Sequence, residues 1–67
     1  MKKLLTSVEK LIPGVILLED VLGKSGKPIM NKNTTLTETH IYFLKKFLID
    51  EVRVASRLQD GTLFIPS

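Results

Sequence analysis

The sequence predicts an α+β domain: a small, mainly antiparallel β-sheet of three to five short strands with one α-helix packed on it. Three observations predict it. Val15 to Val21 is rich in branched aliphatics, and Glu51 to Ala55 alternates apolar with polar residues, as strands do. Between them lies one stretch of helical period, opening at Thr37. Turn signals at Pro13-Gly14, Gly23 to Pro28 and Gln59-Asp60-Gly61 divide the chain into short pieces.

Leu4 to Thr6 reads as a short strand followed by a tight turn over Ser7 to Lys10. The rival reading is an amphipathic helix with Leu4, Val8 and Leu11 on one face. The run Val15 to Val21 is apolar on both faces in its first half, so it is central or covered on both sides. The glycines at 23 and 26 permit a hairpin whose return arm is Lys27 to Asn31. Asn33 suits a left-handed turn position. Thr37 is an N-cap and Glu38 complements the positive end of the helix dipole. Ile41, Leu44 and Leu48 then form an apolar stripe flanked by Phe43 and Phe47, giving a helix over about 38–48 with Lys45 and Lys46 towards water. Val52 and Val54 point inward from the next strand. Leu58 and Thr62 to Ile65 form a last hairpin across Asp60-Gly61.

The chain has 67 residues, 43% of them apolar and 25% charged, and forms one domain over 1–67. A chain this short buries only about 60% of its unfolded surface, and such a core seldom supplies more than ~3–5 kcal/mol unaided. No cysteine is present, so neither a disulfide nor a thiolate metal site supplies the rest. The expectation is self-association, or docking on a larger partner. The apolar run after Lys2-Lys3 ends at Thr6-Ser7, too short for a secretory signal, and no run approaches a membrane span. A soluble, cytoplasmic protein is expected.

The chemistry of most enzymes is missing. His40 is the one histidine, and Glu38, its nearest carboxylate in sequence, lies two residues away on a different part of the helix. No metal set of three or four ligands stands out. Gly23 and Gly26 lack either phosphate-loop spacing. Glu19 and Asp20 are adjacent in a strand, so they face opposite ways and cannot act as an acid–base pair. Phe43 and Phe47 are expected in the core, Tyr42 at the surface, and Phe64 either in the core or as an exposed anchor. No catalytic residue, cofactor or metal is assigned.

Leu11-Ile12-Pro13-Gly14-Val15-Ile16-Leu17-Leu18-Glu19-Asp20-Val21, Gly26, Asn33 to Ile41, Leu44 and Ile49-Asp50-Glu51-Val52-Arg53-Val54 follow a familiar pattern. The chain resembles the small domain that precedes the catalytic domain in many bacterial HD-GYP cyclic-di-GMP phosphodiesterases and related HD-domain proteins. The likeness covers about 8–55 and leaves 56–67 as a terminal hairpin or tail. It rests on turns, glycines and core aliphatics, so it speaks to fold more than to function. Val15 stands where the pattern has Met, Leu18 where it has a small residue, and Asn33 and Leu48 where it has Gly. No His-Asp doublet occurs, so phosphodiesterase activity does not carry over. The resemblance implies a stand-alone relative of an accessory module, bacterial or from a bacteriophage. A weaker likeness, in the Leu-Thr-Glu helix start and the Ile-x-x-Val-x-Val strand, links the chain to pieces of bacterial RNA polymerase large subunits.

Three functions compete. The first is a non-catalytic protein-interaction or regulatory module, a homo-oligomer or docked on a larger bacterial or phage protein, with Val15, Leu17, Leu48 and Phe64 as candidate contacts. The second is a small basic nucleic-acid-binding or polymerase-directed regulator. It is motivated by a net charge of +3 and by Lys45, Lys46, Arg53 and Arg57. The third is a cyclic-dinucleotide sensor, for which only Arg53 and Arg57 could pair with phosphates. The first is the expected function.

Overall fold

The computed structural model describes residues 3–66; Met1, Lys2 and Ser67, and with them half of the terminal lysine pair, lie outside the described residues. The chain order is β1 (Lys3–Ser7), one turn of 3-10 helix (Val8–Lys10), β2 (Val21–Leu22), β3 (Pro28–Met30), α1 (Glu38–Lys46) and β4 (Glu51–Ala55). β1 pairs antiparallel with β4, and β2 with β3. Over the described residues the result is an α+β fold with one α-helix and two small antiparallel sheets.

The two sheets are joined through Val15 to Leu18, and main-chain hydrogen bonds show how. Val15 and Leu17 turn their backbone groups to one side: Leu36 N–H donates to Val15 O (2.7 Å), Leu17 N–H to Thr34 O (3.0 Å), and Asn33 N–H to Leu17 O (2.7 Å). Ile16 and Leu18 turn theirs to β4: Ala55 N–H donates to Ile16 O (2.9 Å) and Leu18 N–H to Arg53 O (3.0 Å). Alternate residues of a strand point opposite ways, so this segment is hydrogen-bonded on both edges. It is central, as its two-sided apolarity predicts. It does not run unbroken to Val21. The chain bends at Leu18-Glu19, and Asp20 Oδ1 accepts the Lys32 N–H at 2.8 Å, before β2 resumes with a register shift between Val21 and Leu22.

Side-chain alternation sets the core. Val15, Leu17, Val52 and Val54 point inward, with Leu17 and Val54 facing each other across an antiparallel bridge and both fully buried. Ile41 and Leu44 of α1, Val21 of β2, Leu36, Val8, Leu11 and Phe64 complete it. Pro13-Gly14 makes the turn into the central segment. Gly14 sits at φ +98°, the third position of a type II turn closed by Val15 N–H to Ile12 O, where a side chain is strained.

The helix starts as expected and ends two residues early. Thr37 Oγ1 accepts the His40 N–H at 3.3 Å, and His40 Nδ1 accepts the Thr37 N–H at 3.0 Å, a capping box with histidine in the usual Glu place. After Lys46 the chain closes a Schellman turn: Ile49 N–H donates to Leu44 O and Leu48 N–H to Lys45 O, with Leu48 left-handed at φ 59°. Leu48 is therefore outside the helix and 67% exposed, not part of the inward stripe. Asn33 takes the left-handed turn position predicted for it, at φ 69°. At the C-terminal end, Leu58 N–H donates to Thr62 O and Phe64 N–H to Ser56 O, forming the terminal hairpin. Leu63, Phe64 and Ile65 alternate out, in, out, so Phe64 is a core residue.

Candidate interaction surfaces

The sequence-predicted contact residues separate. Val15 and Leu17 have no exposed surface and Phe64 has 5%, so none of the three can touch a partner without unfolding; only Leu48 of that set is available. The reason is topological. Val15 and Leu17 turn their side chains to the face that packs against Leu36, Ile41 and Leu44 of the same chain, so only Ile16 and Leu18, on the other face, stay partly exposed.

The exposed apolar surface lies elsewhere. Tyr42, Phe43 and Phe47 are 61%, 42% and 51% exposed, correcting the expectation that the two phenylalanines are core. At 100° per residue Phe43 sits about 160° around the helix from Ile41, so both cannot face one core. Phe43 and Phe47, one turn apart, stack with ring centroids 6.4 Å apart and planes at 28°, and Tyr42 tilts against Phe43 at 6.1 Å. The two phenylalanines, His40, Ile29 and Met30 line a hollow of about 420 Å³ between α1 and β3. The cap fixes the His40 ring: Nδ1 accepts the Thr37 amide, so the neutral ring carries its proton on Nε2. Sequence reasoning missed this surface, although the angular offset of Phe43 from Ile41 was the signal for it.

The opposite side of the sheet carries a second hollow of about 620 Å³, bordered by Ile16, Leu18, Ala55, Arg57 and Leu58. Ile16 and Leu18 reach it because their neighbours Val15 and Leu17 face the core.

The four candidate phosphate contacts are not gathered. Lys45, Arg53 and Arg57 border three different hollows. Arg53 is directed at Glu19 (3.9 Å), and Arg57 donates to Gly61 O at 2.8 Å. Lys45 and Lys46 lie in the last turn of α1, where they complement its negative end. Glu19 also holds Lys3 at 2.9 Å, and the Lys3 hydrogen bond keeps its carboxyl below the ordinary glutamate range. Asp60 is likewise lowered, by the Thr62 amide at 2.9 Å in the hairpin turn. Glu19 and Asp20 thus serve separate structural contacts. Among the described residues no group of three or more His, Cys, Asp or Glu is placed to hold a metal ion, and no helix is long and apolar enough to cross a membrane.

Compared with known family models, curated proteins and solved structures, the chain matches none.

Proposed function

We propose that the protein is a non-catalytic interaction module that docks a larger protein through the aromatic face of α1. One observation carries this reading: Phe43 and Phe47 stand half exposed and stacked above the Ile29–Met30 floor of a hollow. Aromatic side chains and methionine are enriched at the centres of protein interfaces, where a few of them supply most of the binding energy. Water-facing phenylalanine pairs contribute little to folding, so a partner that covers them supports the arrangement better than stability does. Lys46, one turn on from Phe43 and next to Phe47, borders the patch and favours a partner with an acidic rim. The resemblance to a module that precedes HD-type catalytic domains nominates a bacterial or phage HD-domain phosphohydrolase as the first partner to test.

The test places a photo-crosslinking phenylalanine analogue at position 47 in the source cell, with a matched substitution at Gln59 on the terminal hairpin as control. A single discrete adduct from position 47, absent from 59 and lost when Phe43 is changed to Ser, supports the reading. Equal adducts from both positions remove it. A nucleic-acid function draws no support from the cation positions, since the two arginines are turned to partners within the chain.

A further inference from the structure

The outer edge of β1 is open, and its pattern fits a second copy of itself. Val8 N–H donates to Asp50 O at 2.9 Å, which fixes the phase of the β1–β4 ladder. With Thr6 opposite Val52 and Leu4 opposite Val54, the even-numbered residues turn their main chain to β4. Lys3, Leu5 and Ser7 turn theirs away from it, and among the described residues no other strand pairs with β1. The far side of the sheet offers no comparable edge, because 33–36 is bounded by left-handed Asn33 and by the helix start at Thr37.

Exposed edges are ordinarily blocked by proline, a bulge or an outward lysine. β1 has no proline, and its register with β4 is unbroken. Its one charged residue, Lys3, is drawn off the edge: the side chain lies over the sheet, with Nζ 2.9 Å from Glu19, beyond β4. What remains along the edge is Leu5, 55% exposed, between Lys3 and Ser7.

We propose that two copies of the protein pair antiparallel along β1, about a two-fold axis through Leu5. The free groups at 3, 5 and 7 are symmetric about Leu5, as an isologous contact requires. Leu5 faces Leu5 of the second copy and Lys3 faces Ser7, giving about six main-chain hydrogen bonds, two for each facing pair. On the outer face the two Leu5 side chains meet. On the inner face Leu4, partly buried at the margin of the core, lies against Thr6 of the second copy. The joined sheet then runs continuously through both protomers and leaves both aromatic grooves open.

An edge contact is small, so weak affinity is expected, and sedimentation should be followed from about 10 µM to about 1 mM. The expected result is a rise from the 7.5 kDa protomer towards twice that mass, with amide exchange at Leu5 and Ser7 slowing as concentration rises. Thr6, already bonded to β4, stays protected throughout. The substitution Leu5→Pro removes an N–H that faces away from β4, a position where an edge strand accepts proline. It should weaken dimerisation at least tenfold and leave the unfolding transition of the dilute protomer in place. A mass of 7.5 kDa throughout the range overturns the proposal. So does a dimer in which the Leu5 and Ser7 amides stay fast, a reading that needs no variant. Loss of the dimer in Phe43→Ser/Phe47→Ser would also overturn it, by moving self-contact to the aromatic face.

Discussion

Leu48 occupies a position where glycine should outperform alanine, the reverse of the order inside a helix. Its φ of 59° lies in the left-handed region, and the Ile49–Leu44 and Leu48–Lys45 hydrogen bonds of the Schellman turn hold it there. A Cβ in that conformation costs about 1–2 kcal/mol. Replacing it by glycine recovers that strain but returns about 0.4–1 kcal/mol through the freer unfolded chain. Leu48→Gly and Leu48→Ala lose the same atoms beyond Cβ, so whatever the one-third burial of the leucine contributes cancels between them. The remaining difference is about 0.6–1 kcal/mol in favour of glycine, or roughly 4–7 °C in Tm for a domain of this size. Leu48→Asn should fall between the two, because asparagine tolerates the left-handed region. Thermal unfolding of the three variants by circular dichroism, at one dilute concentration, decides it. If Leu48→Ala melts at or above Leu48→Gly, the turn is not holding residue 48 left-handed and the strain argument fails.

Other outcomes follow from packing and charge. Leu44 is fully buried under α1, so Leu44→Ala should cost about 2–5 kcal/mol. Against a total of ~3–5 kcal/mol for a core of this size, a large fraction of the chain should then be unfolded at 25 °C by near-ultraviolet dichroism or one-dimensional NMR. Phe43→Ser with Phe47→Ser should leave Tm within a few degrees of the parent, since both rings face water; a collapse of the transition would place them in the core after all. Glu19 is held below its ordinary pKa by Lys3, so its contribution is full above the unfolded value and fades as pH falls through the folded one. Melting curves should therefore lose Tm on acidification below about pH 4.5, and Glu19→Gln should remove part of that slope. An identical acid slope in the variant would show that the Lys3–Glu19–Arg53 cluster contributes nothing.

Local chemistry was legible in the sequence wherever one residue type answers one backbone need. Thr37 caps α1, Asn33 takes a left-handed turn, and Val52 and Val54 alternate inward, because each choice is fixed within a few residues. Readings that depended on distant neighbours went astray. Two-sided apolarity makes Val15 and Leu17 candidate contacts, but which of the two faces meets the core depends on Leu36, Ile41 and Leu44, and these cover the face of Val15 and Leu17. The spacing of Leu48 from Ile41 and Leu44 continues the stripe and so predicts a helix that runs to Leu48. Nothing in that spacing records that Ile49 N–H reaches back to Leu44 O and stops the helix earlier. Phenylalanine is a core residue by composition, but two buried side chains, Ile41 and Leu44, already fill the short inward face of a nine-residue helix and leave Phe43 and Phe47 at the surface.

The same hydrogen-bond geometry orders the stability of the parts. A residue whose N–H and C=O are both bonded and whose side chain is fully buried can exchange only when the whole domain opens. Leu17 meets that description, with its N–H on Thr34 O, its C=O on Asn33 N–H and no exposed surface. Leu18, Leu36 and Ala55 donate into the same ladders. β2 and β3 pair over two and three residues with a register shift, around an exposed turn, and a ladder that short opens by itself. Native-state amide exchange should therefore find Leu17, Leu18, Leu36 and Ala55 slowest and sharing one opening free energy. Met30 and Val21 should exchange through a smaller, local opening. If the β2–β3 amides proved as slow as Leu17, the hairpin would be part of the cooperative unit, and Val15 to Leu18 would lose its place as the segment on which the two sheets depend.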